Sequence, residues 1–244
     1  MPCQDYITPA APDAVPQRPR KGRGAAINMD GRFEPFSHGA IDDGWGSADQ
    51  EPEVLRTTLT PDTTRTIIAR NKSPDVPFDR SINPYRGCEH GCIYCFARPT
   101  HAFLGLSPGL DFETRLFFKP DAARLLEKEL RKPRYGCQVI AMGTNTDPYQ
   151  PAERRLGITR GILQVLSDFN HPVNIVTKSA LVLRDIDILA PMAAKGLAEI
   201  GISVTTLDRT LARTMEPRAA APGRRLEVIR ELSAAGIPVG VMAA

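Results

Sequence analysis

Three cysteines fall within eight residues, in the run Asn83-Pro-Tyr-Arg-Gly-Cys88-Glu-His-Gly-Cys92-Ile-Tyr-Cys95-Phe-Ala-Arg98. A thiolate is a soft anionic ligand, and the spacing C-x3-C-x2-C puts three of them on one short loop, which suits iron–sulfur chemistry. Most iron–sulfur sites supply four thiolates; three on a four-iron cube leave one iron open to a substrate or cofactor. Gly87 and Gly91 let the backbone wrap closely around a bulky inorganic core. Two other readings stand beside this one. The three are buried free thiols, or they bind zinc with His90 or His101 as fourth ligand. Zinc sites usually use paired arms, and no second arm exists in this sequence. Of the five cysteines, Cys137 reads as a buried thiol at the start of a later strand, away from the loop, and Cys3 as incidental. An odd number with this clustering is a poor disulfide framework and favours a reducing compartment.

The elements that position the loop follow from periodicity. Apolar runs predict strands at 81–86, 137–143, 172–177, 198–205 and 237–242. Between them, helical spacing predicts helices at 120–131, 158–168, 184–194, 208–214 and 222–235; in the last, Leu226, Ile229 and Leu232 are expected to face inward, with Gly236 ending it. Alternating strands and helices imply a parallel sheet with right-handed crossovers, and sites in such sheets are built at the strands' C-terminal ends. The cysteine loop directly follows the first of these strands. Residues 1–60, rich in Pro, Gly, Asp and Ala, read as an irregular N-terminal arm, and 61–244 as the core. A basic stretch in the arm (Arg18, Arg20, Lys21 and Arg23) is a phosphate contact or, more simply, a solvated tail. The chain stops beside its fifth strand, which suggests a core incomplete at the C-terminus.

Composition narrows the class. The 244 residues, 42% apolar and 24% charged with a net charge of +3, are those of an ordinary globular protein, only mildly basic. No apolar run approaches a membrane span and no secretory leader is visible, so a cytoplasmic protein without a membrane partner is expected. There is no helix-turn-helix, zinc-finger pair or basic-aromatic strip.

The C-x3-C-x2-C motif with an aromatic residue, Tyr94, before the last cysteine resembles the signature of the radical S-adenosylmethionine (SAM) superfamily. The stretch Asn83–Arg98 resembles the branch related to spore photoproduct lyase, and the likeness runs from about Arg20 onward. The resemblance implies a partial (β/α)6 barrel and two cofactors: a [4Fe-4S] cluster on Cys88, Cys92 and Cys95, and SAM chelating the open iron. A cellular one-electron reductant would supply the electron that cleaves SAM. The end of the second strand, Met142-Gly-Thr-Asn-Thr-Asp-Pro-Tyr-Gln-Pro-Ala-Glu153, would then face the cluster. Thr144, Asn145 and Thr146 would meet the SAM amino group, and Asp147, Tyr149 and Glu153 are catalytic candidates or a turn with its cap. Lys178 would pair with the SAM carboxylate or remain a surface charge. Ser203 and Thr205 would bond its ribose or merely alternate along a strand. Glu216-Pro217 resembles a family motif without an assigned role. Arg86, Arg98 and His101 either receive an anionic substrate or pair locally. In spore photoproduct lyase a cysteine near the end of the second strand returns hydrogen to the product; the matching stretch Ala141–Thr144 has no thiol, and Tyr149 is the nearest relay candidate. The substrate stays open among proteins, modified nucleosides and damaged nucleic acid. A non-catalytic metal-binding module and an inactive fragment remain as competing readings.

Overall fold

The computed structural model describes residues 19–36 and 55–243; Cys3 and Arg18, within 1–18, and the stretch 37–54 of the arm lie outside them. Among the described residues nine strands form two sheets. The larger has six strands, adjacent in the order β2 (Ile68–Arg70), β3 (Arg80–Ile82), β6 (Ile140–Met142), β7 (Val173–Thr177), β8 (Ala198–Ser203) and β9 (Val239–Met242). All neighbours in it are parallel except β2, which runs antiparallel to β3. The smaller sheet is made of β1 (Thr58–Pro61), β5 (Arg115–Phe118) and β4 (Tyr85–Arg86), with β5 in the middle. The result is the mixed α/β architecture of a partial (β/α) barrel, with each parallel strand's C-terminal end on one rim.

Local chemistry explains the elements. β7 alternates buried Val173, Ile175 and Thr177 with exposed or half-buried Asn174 and Val176, the period-2 pattern of a strand under a helical layer. Helices α2 (Ala122–Leu130), α4 (Ile158–Asp168), α5 (Ile186–Ala193) and α7 (Pro222–Ala234) cover the sheet. Leu126, Ile162, Leu163, Leu166, Leu189 and Leu232 are fully buried against Ile140, Val173, Ile175 and Ile200. Each such side chain contributes roughly 1.5–3 kcal/mol by leaving water. Two short helices, α1 (Leu110–Thr114) and α3 (Glu153–Leu156), and α6 (Arg209–Met215) sit around the rim.

The structure departs from the sequence pattern in several places. The expected strand at 81–86 is two: Pro84, without an N–H, separates β3 from β4, and β4 joins the other sheet. The expected helix at 184–194 is a 3-10 turn, Ala180–Asp185, followed by α5. β1 begins within the stretch read as irregular arm, where it pairs with β5. Cys137 is exposed and precedes β6, so it is not a buried strand thiol. In α7, Leu226 is 37% exposed and Ile229 only half-buried, while Arg225, Val228 and Leu232 point inward. The face is rotated because Arg225 turns in to meet a buried carboxylate, Glu216. Among the described residues no helix is long and apolar enough to cross a membrane.

This face assignment sets an expectation for stability. Leu232→Ala should cost about 2–5 kcal/mol and Leu226→Ala less than about 1 kcal/mol, read as shifts in the urea midpoint at unchanged slope. Equal costs would mean the buried face is the one periodicity suggested.

Candidate functional site

The cysteine loop leaves the C-terminal end of β3 and is fixed from several sides. Gly87 has φ +78°, and a Cβ there would stand 2.6 Å from Leu116 Cδ2 and 2.8 Å from the Phe112 carbonyl oxygen. Gly91 has φ +68°, and its Cβ would meet Glu113 Oε2 at 2.8 Å. Glycine is required at both by conformation and by space. Between them Cys88 N–H donates to Phe112 O at 2.9 Å. Gln150, fully buried, brackets Cys88: its amide nitrogen donates to Gly87 O at 3.2 Å, and Glu89 N–H donates to its Oε1 at 2.9 Å. Arg98 ties down the far end, donating through Nε to Cys92 O at 3.0 Å and through Nη2 to Glu113 at 2.5 Å. Glu113 also accepts from the Gly24 and Ala25 N–H groups at 3.0 and 2.9 Å, and Arg23 donates to its carbonyl at 2.8 Å. The segment around Arg23 is therefore docked beneath the loop, not a solvated tail.

Cys88 is buried, Cys92 and Cys95 half-buried. Burial and the nearby Asp147 carboxylate push the Cys88 thiol up. Burial pushes Cys92 up to about 12, with Lys178 opposing and Glu216 and Cys95 adding to it. Both shifts favour the neutral thiol, so a metal binding Cys88 and Cys92 must displace a proton from each. The donor set fits a [4Fe-4S] cluster: three thiols on one tightly framed loop, with no fourth cysteine beside them among the described residues. It fits zinc poorly. His90 Nδ1 sits 3.3 Å from Asp147, and His101 is buried with Nε2 3.0 Å from Arg115 O, its pKa lowered by burial. Among the described residues no three His, Cys, Asp or Glu side chains form a group able to hold one metal ion. In a cube each thiolate binds a different iron, so its sulfurs need not meet at one point.

The residues expected around the loop divide sharply. Tyr94 is 41% exposed on the rim, and Lys178 Nζ lies 5.8 Å above its ring. The Tyr94 hydroxyl donates to Glu216 and lies 3.0 Å from Thr205 Oγ1. Thr205 also donates to Glu216, at 2.7 Å. Glu216 forms a buried ion pair with Arg225, whose guanidinium further donates to Ser203 O at 2.8 Å and Ala220 O at 2.7 Å. Burial alone would raise the Glu216 pKa, but Arg225, Tyr94 and Thr205 outweigh it and hold the carboxylate ionised. Its phenol partner is correspondingly pushed up, by burial and then by Glu216. Ser203 is buried at the end of β8. Thr144 is half-buried and Asn145 exposed, both leaning on Asn83 Oδ1; Thr146 is buried and donates to Tyr85 O at 2.9 Å.

Two of the three catalytic candidates, Asp147 and Glu153, hold structure together instead of opening to the rim. Asp147 accepts from the Tyr149 and Lys178 N–H groups, both at 2.8 Å, and from Thr177 at 2.7 Å. Burial would raise its pKa; His90 and these donors hold it below the usual carboxylate range. Tyr149 is fully buried, and burial with the Asp185 carboxylate nearby raises its pKa far out of reach. Glu153, also fully buried, accepts from Tyr85, Thr159 N–H, Arg160 N–H and Arg184. It caps α4 at the turn where that helix begins. Arg86 pairs through Nε with Asp62 at 2.8 Å and stays exposed, whereas Arg98 is committed to Glu113. Sequence reasoning missed Gln150 and Arg225, because a lone glutamine beside prolines and an arginine in an exposed-looking helix carry no local signal.

The frame yields a direct expectation. Gln150→Ala would strand Gly87 O and Glu89 N–H, each costing about 1–3 kcal/mol when buried and unpaired. Iron bound per chain after anaerobic reconstitution should fall while the far-UV circular dichroism stays that of the parent; full iron loading would show that the loop holds its shape without the clamp.

Comparison with known proteins gives the following. A family model described as the radical SAM superfamily matches residues 82–244. An uncharacterised protein of Mycobacterium tuberculosis (strain H37Rv) is 41% identical over 179 residues, which are 72% of this chain and 53% of that protein. One from Methanocaldococcus jannaschii is 28% identical over 156 residues, 64% of this chain and 56% of that one. The chain thus spans about half the length of the curated relatives it matches. Among solved structures, spore photoproduct lyase complexed with dinucleoside spore photoproduct aligns at TM-score 0.55 and 18% identity, over 78% of this chain and 52% of that one. A double mutant of that lyase with bound AdoMet and the same dinucleoside aligns at TM-score 0.51 and 16% identity, over 76% and 50%. At these identities the likeness is one of fold.

Proposed function

The chain belongs to the radical SAM superfamily, and from that premise we propose that it starts hydrogen abstraction from a substrate by cleaving SAM reductively. The observation that carries the reading is the company the cysteine loop keeps: Cys88, Cys92 and Cys95 share one rim with Tyr94 and with Lys178, whose Nζ lies 5.8 Å from the Tyr94 ring. When bound, a [4Fe-4S] cluster with one open iron supplies the electron that splits SAM into methionine and a 5′-deoxyadenosyl radical. A cellular one-electron reductant is the partner this requires.

The chain's own residues have separable tasks. Cys88, Cys92 and Cys95 would hold the cluster and, lacking a fourth thiolate, would leave a site for SAM. Lys178 offers an ammonium to the SAM carboxylate, a charge-assisted contact strongest where water is partly excluded. Its direction is set from the backbone, since Asp147 accepts its N–H at 2.8 Å and Ala220 N–H donates to its carbonyl at 3.3 Å. Tyr94 lays a ring against the same space and is held by Glu216. Ser203, Thr144 and the exposed Asn145 remain the polar contacts for SAM; Thr146 is already committed to Tyr85 O. Asp147 and Glu153 act as positioning residues, fixing the loops that carry the contacts. No thiol stands at the end of β6, where Ala141 and Met142 are followed by Gly143 and Thr144. The hydrogen return of spore photoproduct lyase is therefore not carried over, and the reaction is proposed as hydrogen abstraction without a lyase outcome. Nucleic acid is the proposed substrate class, on the fold likeness to a lyase solved with a dinucleoside. Free cysteines among the described residues agree with a reducing, cytoplasmic setting.

The test is an anaerobic reconstitution followed by electron paramagnetic resonance of the reduced protein. A [4Fe-4S]⁺ signal that changes on adding SAM is expected; a cluster indifferent to SAM, or a chain holding zinc, would refute the reading. Cys92→Ala should lose cluster and SAM cleavage together. Lys178→Ala should weaken SAM binding by about tenfold, the worth of one hydrogen bond to a charged group, at unchanged iron content. Unaltered SAM affinity would make Lys178 a surface charge.

A further inference from the structure

Beside the cysteine loop lies a cleft of about 510 Å³. Four arginines from four separate segments line it: Arg154 on α3, Arg184 in the 3-10 turn after β7, Arg218 after α6 and Arg224 in the first turn of α7. His90, Tyr149 and Ser179 are among the other lining residues, and no acidic side chain among the described residues lines it. The cleft adjoins the rim through three stretches of chain. His90 lies between Cys88 and Cys92, Ser179 follows Lys178, and Arg218 is two residues after Glu216.

The four guanidiniums are not equivalent. Arg184 is filled by Glu153 and Asp185 and serves as a fixed wall. Arg218 uses Nη2 on Glu89, at 3.2 Å, and Arg224 uses Nη1 on Glu227 and Glu231. Each keeps other N–H donors of its five. Arg154 is exposed, and its side chain has no hydrogen bond or ion pair among the described residues. An unpaired arginine and two half-paired ones around a cavity without acids are suited to one kind of guest. A tetrahedral dianion or diester accepts bidentate contacts from several guanidiniums at once.

We propose that this cleft binds a phosphate group, and that Arg154, Arg218 and Arg224 are its contacts. Its volume exceeds a single phosphate and accommodates a nucleotide-sized group, so the guest is a phosphorylated molecule held by its phosphate next to the radical-generating rim. That the guest is the substrate rests on the function proposed above; the binding itself does not. The function of the Glu216-Pro217-Arg218 run then divides between two sites, Glu216 holding Tyr94 and Arg218 reaching the cleft.

The experiment measures fluorescence anisotropy of a short labelled single-stranded DNA on the full chain, with thymidine 5′-monophosphate, inorganic phosphate and thymidine as competitors. Phosphate-bearing competitors should displace the probe and thymidine should not. Arg154→Glu and Arg224→Gln should each weaken binding about tenfold. Each should also lower the slope of log affinity against log salt by about one. Probe binding untouched by both variants, or displaced by thymidine as well as by its phosphate, would overturn the proposal. Tighter binding of the oligonucleotide than the mononucleotide assigns the phosphate to a nucleic acid; equal binding assigns it to a free phosphorylated metabolite, and either supports the site. Thermal unfolding confirms that the variants fold. Arg154→Glu should leave iron content and SAM affinity as in the parent. If the parent itself ignores SAM yet binds phosphate through these arginines, the cleft stands and the proposed reaction falls.

Discussion

Asp147 joins three pieces of chain that sequence separates widely. Its carboxylate accepts from Tyr149 N–H within its own loop, from the Thr177 hydroxyl and the Lys178 N–H at the end of β7, and faces His90 in the cysteine loop. A buried carboxylate is expensive unless every lone pair is used, and here the donors converge well enough to keep it ionised. The direction of Lys178, the seat of the cysteine loop and the course of the β6 loop all depend on that one group. A residue with no free oxygen to offer a substrate thereby decides where the reactive ones stand.

The same device recurs around the rim. Glu113 gathers Arg98 and two backbone N–H groups under the loop; Glu153 gathers Tyr85, Arg184 and the start of α4; Glu216 gathers Tyr94, Thr205 and Arg225. Each is a buried acid satisfied by donors from different elements. Breaking one partner leaves an uncompensated charge, a loss of about 3–5 kcal/mol, whereas the intact pair adds little net stability. Their contribution is to specify one arrangement of long loops that hydrophobic packing alone would leave loose. The sheet and its helices supply the rigidity beneath, and the acids carry that rigidity up into the loops.

The three-cysteine loop, the strand–helix alternation and the glycines of the loop were legible because each is a local property. Spacing along a short loop fixes which thiols share it, and a period of 2 or 3.6 fixes which face is apolar. The residues of the β6 loop were legible as a concentration of polar groups but not in their roles. Whether Asp147 and Glu153 open to solvent or fold back on donors depends on segments 30 to 68 positions away. The same holds for α7, where a leucine was expected inward and an arginine turned in, since the carboxylate that draws it lies on another loop.

The sequence alone therefore determined the family-bearing motif, the α/β class and the order of the parallel strands with the helices between them, all properties set by near neighbours in the chain. Tertiary structure alone decided which polar side chains face the rim, which are spent as internal ties, and that four arginines from separate segments line one cleft. Hydrogen bonds and ion pairs between distant segments leave no periodic trace, because their geometry exists only once hydrophobic burial has brought those segments together.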